Sequence, residues 1–361
     1  KKRACDCVAK ASNIRPPDLL NRYNKRIQEE LFLSTLKHSQ LNQSQNLQGP
    51  FLYHLGFADE NWNLLDGRNR SGKALRSALC LYAFHSVDNY WEKALPAAIA
   101  IELLHNFSLI HDDIQDHDTE RRHRRTLWTI IGQPKALLSG SAMHAIACLN
   151  HLYLKEWEIN DEKVLATSQL LFKTSLDMIK GQVLDLKFEQ SVQVNRNQYL
   201  EMIDFKTSSL ISCSLTVGAF LGTDRKSIIK AFSQYGLHLG RVFQLRDDIL
   251  GIWGQSNITG KSTLNDIMRK KKSFPIIHAL QACKSEDRKI LLKIYAKKTL
   301  LQQDLDLVME ILEKNHSKRK TEEFIEVEAL SAIKQLNLMR LDAWALKEGR
   351  DLVEFLMHRE Y

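Results

Sequence analysis

Two aspartate-rich segments stand far apart in the chain, Asp112-Asp113-Ile114-Gln115-Asp116 and Asp247-Asp248-Ile249-Leu250-Gly251, each following an apolar stretch that reads as helix. Carboxylates packed that closely repel one another unless a cation lies between them. Positions i and i+4 share a helix face, so Asp112 and Asp116 point the same way, about 6 Å apart along the axis. Oxygen ligands with no Cys or His spacing beside them suit magnesium, a hard cation that keeps waters and completes its shell with phosphate oxygens. The implied ligand is a diphosphate. A solvated helix end accounts for one such cluster about as well, but not for two that each follow an apolar run, Leu103-Leu104 to Leu109-Ile110 and Val242-Phe243 to Leu245.

The cations point the same way. The formal net charge is +8 over 361 residues, which taken alone permits nucleic-acid or acidic-membrane binding. Its distribution argues otherwise, because Arg121-Arg122-His123-Arg124-Arg125 and Arg269-Lys270-Lys271-Lys272 each closely follow one aspartate segment. That is the arrangement of an anion clamped by metal on one side and cations on the other. Lys318-Arg319-Lys320 has no such neighbour and reads as a solvated basic face. The six cysteines lack zinc spacing and read as reduced core residues of a cytoplasmic protein. The chain begins at Lys1, so what precedes it, a targeting segment included, stays open.

With 6 Pro, 15 Gly and apolar residues recurring at helical spacing, the chain reads as all-α and as one domain over 1–361, with 1–16 frayed. Uninterrupted apolar runs fall short of the roughly 20 residues that span a bilayer, so a soluble protein without a transmembrane helix is expected. Pro16-Pro17-Asp18 starts a helix to about 36, and the polar stretch 38–49 reads as a connection. Further helices are expected near 73–88, 93–117, 134–155, 161–190, 196–222, 225–252, 273–284, 287–296, 299–314, 322–334 and 336–358. The two that end in carboxylates, 93–117 and 225–252, are apolar almost all round and belong at the centre of a bundle.

Taken together, the residues resemble the trans-isoprenyl diphosphate synthase family, the polyprenyl synthetases that include farnesyl and geranylgeranyl diphosphate synthases. The markers come in the family's order over nearly the whole chain: Gly72-Lys73 with Arg76, Glu102 to His105, the first aspartate motif with Arg121-Arg122, Gly181-Gln182 with Asp185, Lys206-Thr207, Gln244 with the second motif, Gly260-Lys261, and Lys270 to Lys272. The resemblance implies a helical bundle of the isoprenoid synthase type with a central cavity, and a homodimer. It also implies magnesium-assisted ionisation of an allylic diphosphate, followed by attack of isopentenyl diphosphate on the allylic cation.

The roles it implies fall into three groups. Asp112, Asp116 and Asp247 hold magnesium, while Asp113 and Asp248 orient their neighbours or bind through water. Arg121, Lys206, Thr207, Gln244 and Lys261 serve the allylic diphosphate, with Lys206 and Lys261 counted among the catalytic groups. Lys73, Arg76, His105 and Arg122 serve isopentenyl diphosphate without metal. His105 lies two helical turns before Asp112 on the same stripe, which supports its place in the cavity. Product length is expected from the residues below the first motif, where Ser108 is small and Phe107 flanks it. One aromatic and no insertion in the motif resemble enzymes making twenty-carbon geranylgeranyl diphosphate, with farnesyl diphosphate the runner-up.

Departures keep other readings open. Ala74 stands where Arg is usual, His123 and Arg125 where Gly and Pro are usual, Ser141 where Asp is common, and Gly251 where many members carry a third Asp. A terpene cyclase on the same scaffold would not need the isopentenyl residues, and no Asn-x-x-x-Ser-x-x-x-Glu triad follows the second motif. A non-catalytic subunit of a heteromeric synthase would normally have lost aspartates.

Overall fold

The computed structural model describes residues 16–39, 47–65, 74–191, 194–254 and 264–360. Lys73 and Lys261, together with residues 1–15 of the expected frayed stretch 1–16, fall outside them. Helices α1 (Asp18–Arg22), α2 (Asn24–Ser39), α3 (Gln48–His54), α4 (Leu75–His85), α5 (Leu95–Gln115), α6 (Leu127–Ile131), α7 (Gln133–Leu152), α8 (Asp161–Gln190), α9 (Arg196–Ile203), α10 (Ser209–Gly222) and α11 (Lys226–Trp253) follow in order. Helices Asn265–Met268, Phe274–Ala282, Ser285–Ala296, Gln302–Lys314, Ser317–Leu338 and Ala343–His358 complete the chain. The all-α expectation holds: among the described residues the only named strands are Glu120–Arg121 and Arg124–Arg125, which form one antiparallel hairpin.

The central helix is α5. Pro96 sits in its first turn, where a missing N–H costs nothing, and apolar residues from Leu95 to Ile110 bury it. It packs along α7, while α10 lies between α4 and α11, and α11 in turn rests on Ser317–Leu338. The stretch Trp91–Gln115 is long and apolar enough to cross a membrane, yet 78% of its most apolar window is buried inside the fold. A second, smaller apolar cluster joins Ile252 to Ile276, Leu291, Val308 and Leu312, and Trp253 packs against both clusters.

Several boundaries depart from expectation. The first helix breaks at Tyr23 into α1 and α2, and the expected connection 38–49 carries the end of α2 and the start of α3. Expected helix 196–222 is interrupted by a π-helical turn, Asp204–Ser208. The break expected near 335 lies instead after Leu338, where Arg340 takes φ +52° and stops the helix without a glycine. The hairpin turn is also glycine-free. Arg122 and His123 have φ +53° and +59°, the two left-handed residues that a tight two-residue hairpin demands. Arg124 braces that turn, donating to the carbonyls of Tyr53 at 3.1 Å and Ala58 at 2.6 Å with its guanidinium 4.2 Å from the Tyr53 ring centroid.

Candidate active site

A cavity of about 520 Å³ opens among α5, α8, the π-helical turn, α11 and the segment 266–273. One part of it is ionic and another more apolar. Asp112, Asp185, Lys206, Asp247, Asp266 and Lys271 line its ionic part, and Phe107, Ser108 and Met178 its buried, more apolar part, with the exposed Ile179 and Val183 at its edge.

The π turn puts Lys206 where it is needed. An extra residue in the turn re-aims side chains at a point where a regular helix would carry them past. The ammonium lies 3.2 Å from Asp112 Oδ1 and 2.6 Å from Asp185 Oδ2. Burial alone would lower the Lys206 pKa, but these two carboxylates hold it well above the ordinary lysine value. Gly181 makes the approach possible, since a Cβ there would stand 2.2 Å from the Lys206 backbone nitrogen.

The first motif is split by its surroundings. Asp112 resists ionisation through burial, yet Lys206 and Arg121, the latter 3.5 Å away, keep its carboxyl below the usual range. Asp116, the C-cap of α5, is pushed up by burial and by the charge of Asp112. Glu189 is raised for the same kind of reason, burial first and then Asp116 and Asp185. Asp113 is buried and accepts from Arg121 Nε at 2.7 Å, so it aims that guanidinium toward Asp112.

In the second motif Asp247 pairs with Arg359, whose guanidinium stacks 3.9 Å from the Phe243 ring centroid. Asp248 faces inward and is tied on three sides: Tyr199 Oη donates at 2.7 Å, the Phe274 N–H at 2.7 Å and Gln244 Nε2 at 3.2 Å. Burial pushes its carboxyl up to about 7 against those donors. Thr207 Oγ1 donates to Gln244 Oε1 at 2.7 Å, so the expected pair of Thr207 and Gln244 is one chain of bonds ending on Asp248. At Gly251 a Cβ would stand 2.0 Å from Asp266 Oδ2. The carboxylate of Asp266 thus fills the space of the missing third aspartate, and the rim keeps its acidity.

Beside the mouth lies a cluster of cations. Arg76 Nη1 is 3.1 Å from His105 Nε2, and its guanidinium is 5.8 Å from the same Phe243 ring that Arg359 covers. Burial lowers Arg76 to about 10, and burial likewise lowers Arg122 and, with the neighbouring arginines, holds His105 well below the usual histidine value. Like charges gathered this closely in a cavity wall suit an anionic ligand. Arg76 Nε and both amide atoms of Gln182 are buried without a protein partner.

Sequence reasoning did not assign Tyr199, Asp185, Asp266 or Lys271 to the site. Asp185 and Lys271 fell inside motifs already singled out, whereas Tyr199 and Asp266 meet the cavity through tertiary folding alone. Among the described residues no three His, Cys, Asp or Glu side chains are already gathered as a metal-ligand set. The donor chemistry nonetheless fits a hard divalent cation. Asp112, Asp185 and Asp247 offer carboxylate oxygens to the cavity, and Asp116, raised in part by the charge of Asp112, is a group such a cation would bring back to its charged form.

The profile of the polyprenyl synthetase family matches residues 65–312. The chain is 35% identical over 287 residues to (2E,6E)-farnesyl diphosphate synthase of Mycobacterium bovis, covering 79% of this chain and 78% of that one. It is 36% identical over 247 residues to the geranylgeranyl diphosphate synthase of Saccharolobus solfataricus, covering 68% and 73%. The crystal structure of a polyprenyl synthetase from Streptomyces coelicolor superposes with a TM-score of 0.84 at 30% identity, over 94% of this chain and 98% of that one.

Proposed function

The chain belongs to the polyprenyl synthetase family and is a prenyltransferase of the trans-isoprenyl diphosphate synthase type, and from that premise we propose that it joins isopentenyl diphosphate to an allylic diphosphate, with geranylgeranyl diphosphate as its main product. The observation that carries the reading is one cavity that both aspartate motifs line together with buried apolar side chains. Asp112, Asp116 and Asp247 would hold magnesium, which supplies positive charge against the leaving diphosphate. Lys206 and Arg121 add fixed cations on the same side, where charge grows as the carbon–oxygen bond breaks. Arg76, His105 and Arg122 receive isopentenyl diphosphate beside them, and Lys73 and Lys261 keep the roles that the family resemblance implies. The carbocation would form beside the buried apolar side chains of Phe107 and Met178. The chain works as a single domain, its two apolar clusters bridged by Trp253.

Product length is the finer question, and the two relatives described above make products of different length. Ser108 supports the longer one: it leaves space four residues below Asp112, its hydroxyl turned away onto the His105 carbonyl at 2.7 Å. Farnesyl diphosphate is the second reading, favoured by the mycobacterial relative. Pure protein incubated with both diphosphates and magnesium, its products separated by length, decides between them. Ser108→Phe should shorten the main product and Phe107→Ala lengthen it; a distribution unmoved by either removes Phe107 and Ser108 from length control.

A second copy of the chain completes the proposal. Leu138, Leu149 and Leu152 on α7 and Leu165, Phe172, Leu176, Ile179 and Val183 on α8 are exposed, spaced so that each set follows one helix face. Apolar stripes of that extent need cover. Light scattering should return about twice the 41.7 kDa of one chain; a fully active species at the mass of one chain would refute the dimer.

A further inference from the structure

The π turn that aims Lys206 is held from behind as well as from the front. Residues two apart on a helical turn face nearly opposite ways, so while Lys206 lines the cavity, Asp204 points away from it. On that far side Arg241 of α11 grips the Asp204 carboxylate with a two-bond fork, Nε donating to Oδ1 at 2.8 Å and Nη2 to Oδ2 at 2.7 Å. Its Nη1 donates to Glu328 Oε1 at 3.3 Å, and the buried Glu328 carboxylate also lies 2.7 Å from Nδ1 of His238, three residues earlier on α11. The grip is thus itself anchored on Ser317–Leu338.

Two bonds in register dock the turn onto α11. Arg241 meets Asp204 and, three residues later on both elements, Gln244 meets Thr207 at 2.7 Å. Lys206 lies between those two points. Close backbone approach confines the turn further: a Cβ at Gly240 of α11 would stand 2.4 Å from Ser208 Cα, and one at Gly181 of α8 would stand 2.2 Å from the Lys206 nitrogen. Shifting a helical register by one residue swings each side chain about 100° round the axis. Such a shift in this turn would pull Asp204 out of the Arg241 fork and carry the ammonium off Asp112 and Asp185 together.

We propose that Arg241 is a positioning residue for the reaction: its fork on Asp204 holds the π turn in the register that places the Lys206 ammonium between Asp112 and Asp185. The inference rests on the elongation reading above and deepens it, because a residue outside the cavity wall joins those on which ionisation depends.

The test compares Arg241→Met in the wild-type enzyme and in a Lys206→Met background. Acting through Lys206, the change should lower turnover about ten- to a hundredfold in the first, the scale on which a slightly misplaced group costs rate, and by less than about twofold in the second, where no ammonium is left to aim. In the first background the KM of the allylic substrate should rise and that of isopentenyl diphosphate stay within about twofold. Asp204→Asn, which exchanges one acceptor for a donor and so breaks the fork, should show the same contrast between backgrounds and carries the test where Arg241→Met does not fold. Arg241→Lys should recover part of the rate, since an ammonium keeps the charge but not the fork. A similar loss in both backgrounds overturns the proposal and leaves the elongation reading standing, because a general loosening of α11 does not depend on residue 206. Turnover unchanged by both Arg241→Met and Asp204→Asn does the same. A wild-type enzyme that elongates nothing overturns both.

Discussion

Asp112→Ala should lower turnover by about a thousandfold, and Asp247→Ala by a similar factor, with the fold intact in each. The magnitude follows from the charge being removed. A preorganised group facing charge that develops in the transition state is worth about a hundred- to a thousandfold, and here the carboxylate also recruits the cation that neutralises the leaving group. Folding survives because the partners have other partners. Without Asp112, Lys206 keeps Asp185 at 2.6 Å and Arg121 keeps Asp113 at 2.7 Å. Asp247 is paired with Arg359, which also reaches the Phe243 carbonyl at 3.2 Å and so remains anchored. Steady-state condensation at several magnesium concentrations, beside thermal unfolding of each variant, makes the measurement. Turnover within tenfold of wild type in either variant would remove that aspartate from the ionisation step.

The features that could be read from the chain were those written in local spacing. The i, i+4 pair Asp112 and Asp116, the apolar period of 93–117 and the arginines after the first motif each announce themselves within a few residues, and the fold brings Asp112, Arg121 and Arg122 to one cavity. Features that depend on backbone states with no residue signature stayed hidden. The π turn at Asp204–Ser208 carries no local marker in its residues, and its close approach to Gly181 is made by tertiary packing. Left-handed turns at Arg122, His123 and Arg340 use no glycine, so the usual marker was missing at the hairpin and at the end of Ser317–Leu338. Asp266 was invisible for a different reason. Nothing near it in the sequence says that its carboxylate lies over Gly251, because the meeting is made by the return of the chain after α11. The loss of the third aspartate looked like a departure when read along the chain; in space the acidic group is still there.

Lys206→Met should cut turnover by about a hundred- to a thousandfold and raise the KM of the allylic substrate while leaving that of isopentenyl diphosphate within about twofold. The asymmetry comes from geometry. Lys206 is bonded to Asp112 and Asp185, whereas Arg76 pairs with His105. One charge-assisted contact to a phosphate contributes about 1.5–3 kcal/mol of binding, and the further loss reflects charge that grows after binding. Removing the ammonium also leaves Asp112 and Asp185 facing each other without the cation that separates them. The variant should therefore gain more thermal stability from added magnesium than the wild type does, since a bound cation then relieves a repulsion that Lys206 otherwise screens. Lys206→Arg keeps the charge but not the compact ammonium that fits between two carboxylates, and its turnover should lie between the two. Equal rises in both KM values would show that the two diphosphate sites are not divided in this way, and an unchanged magnesium response would show that Lys206 and the cation do not share Asp112.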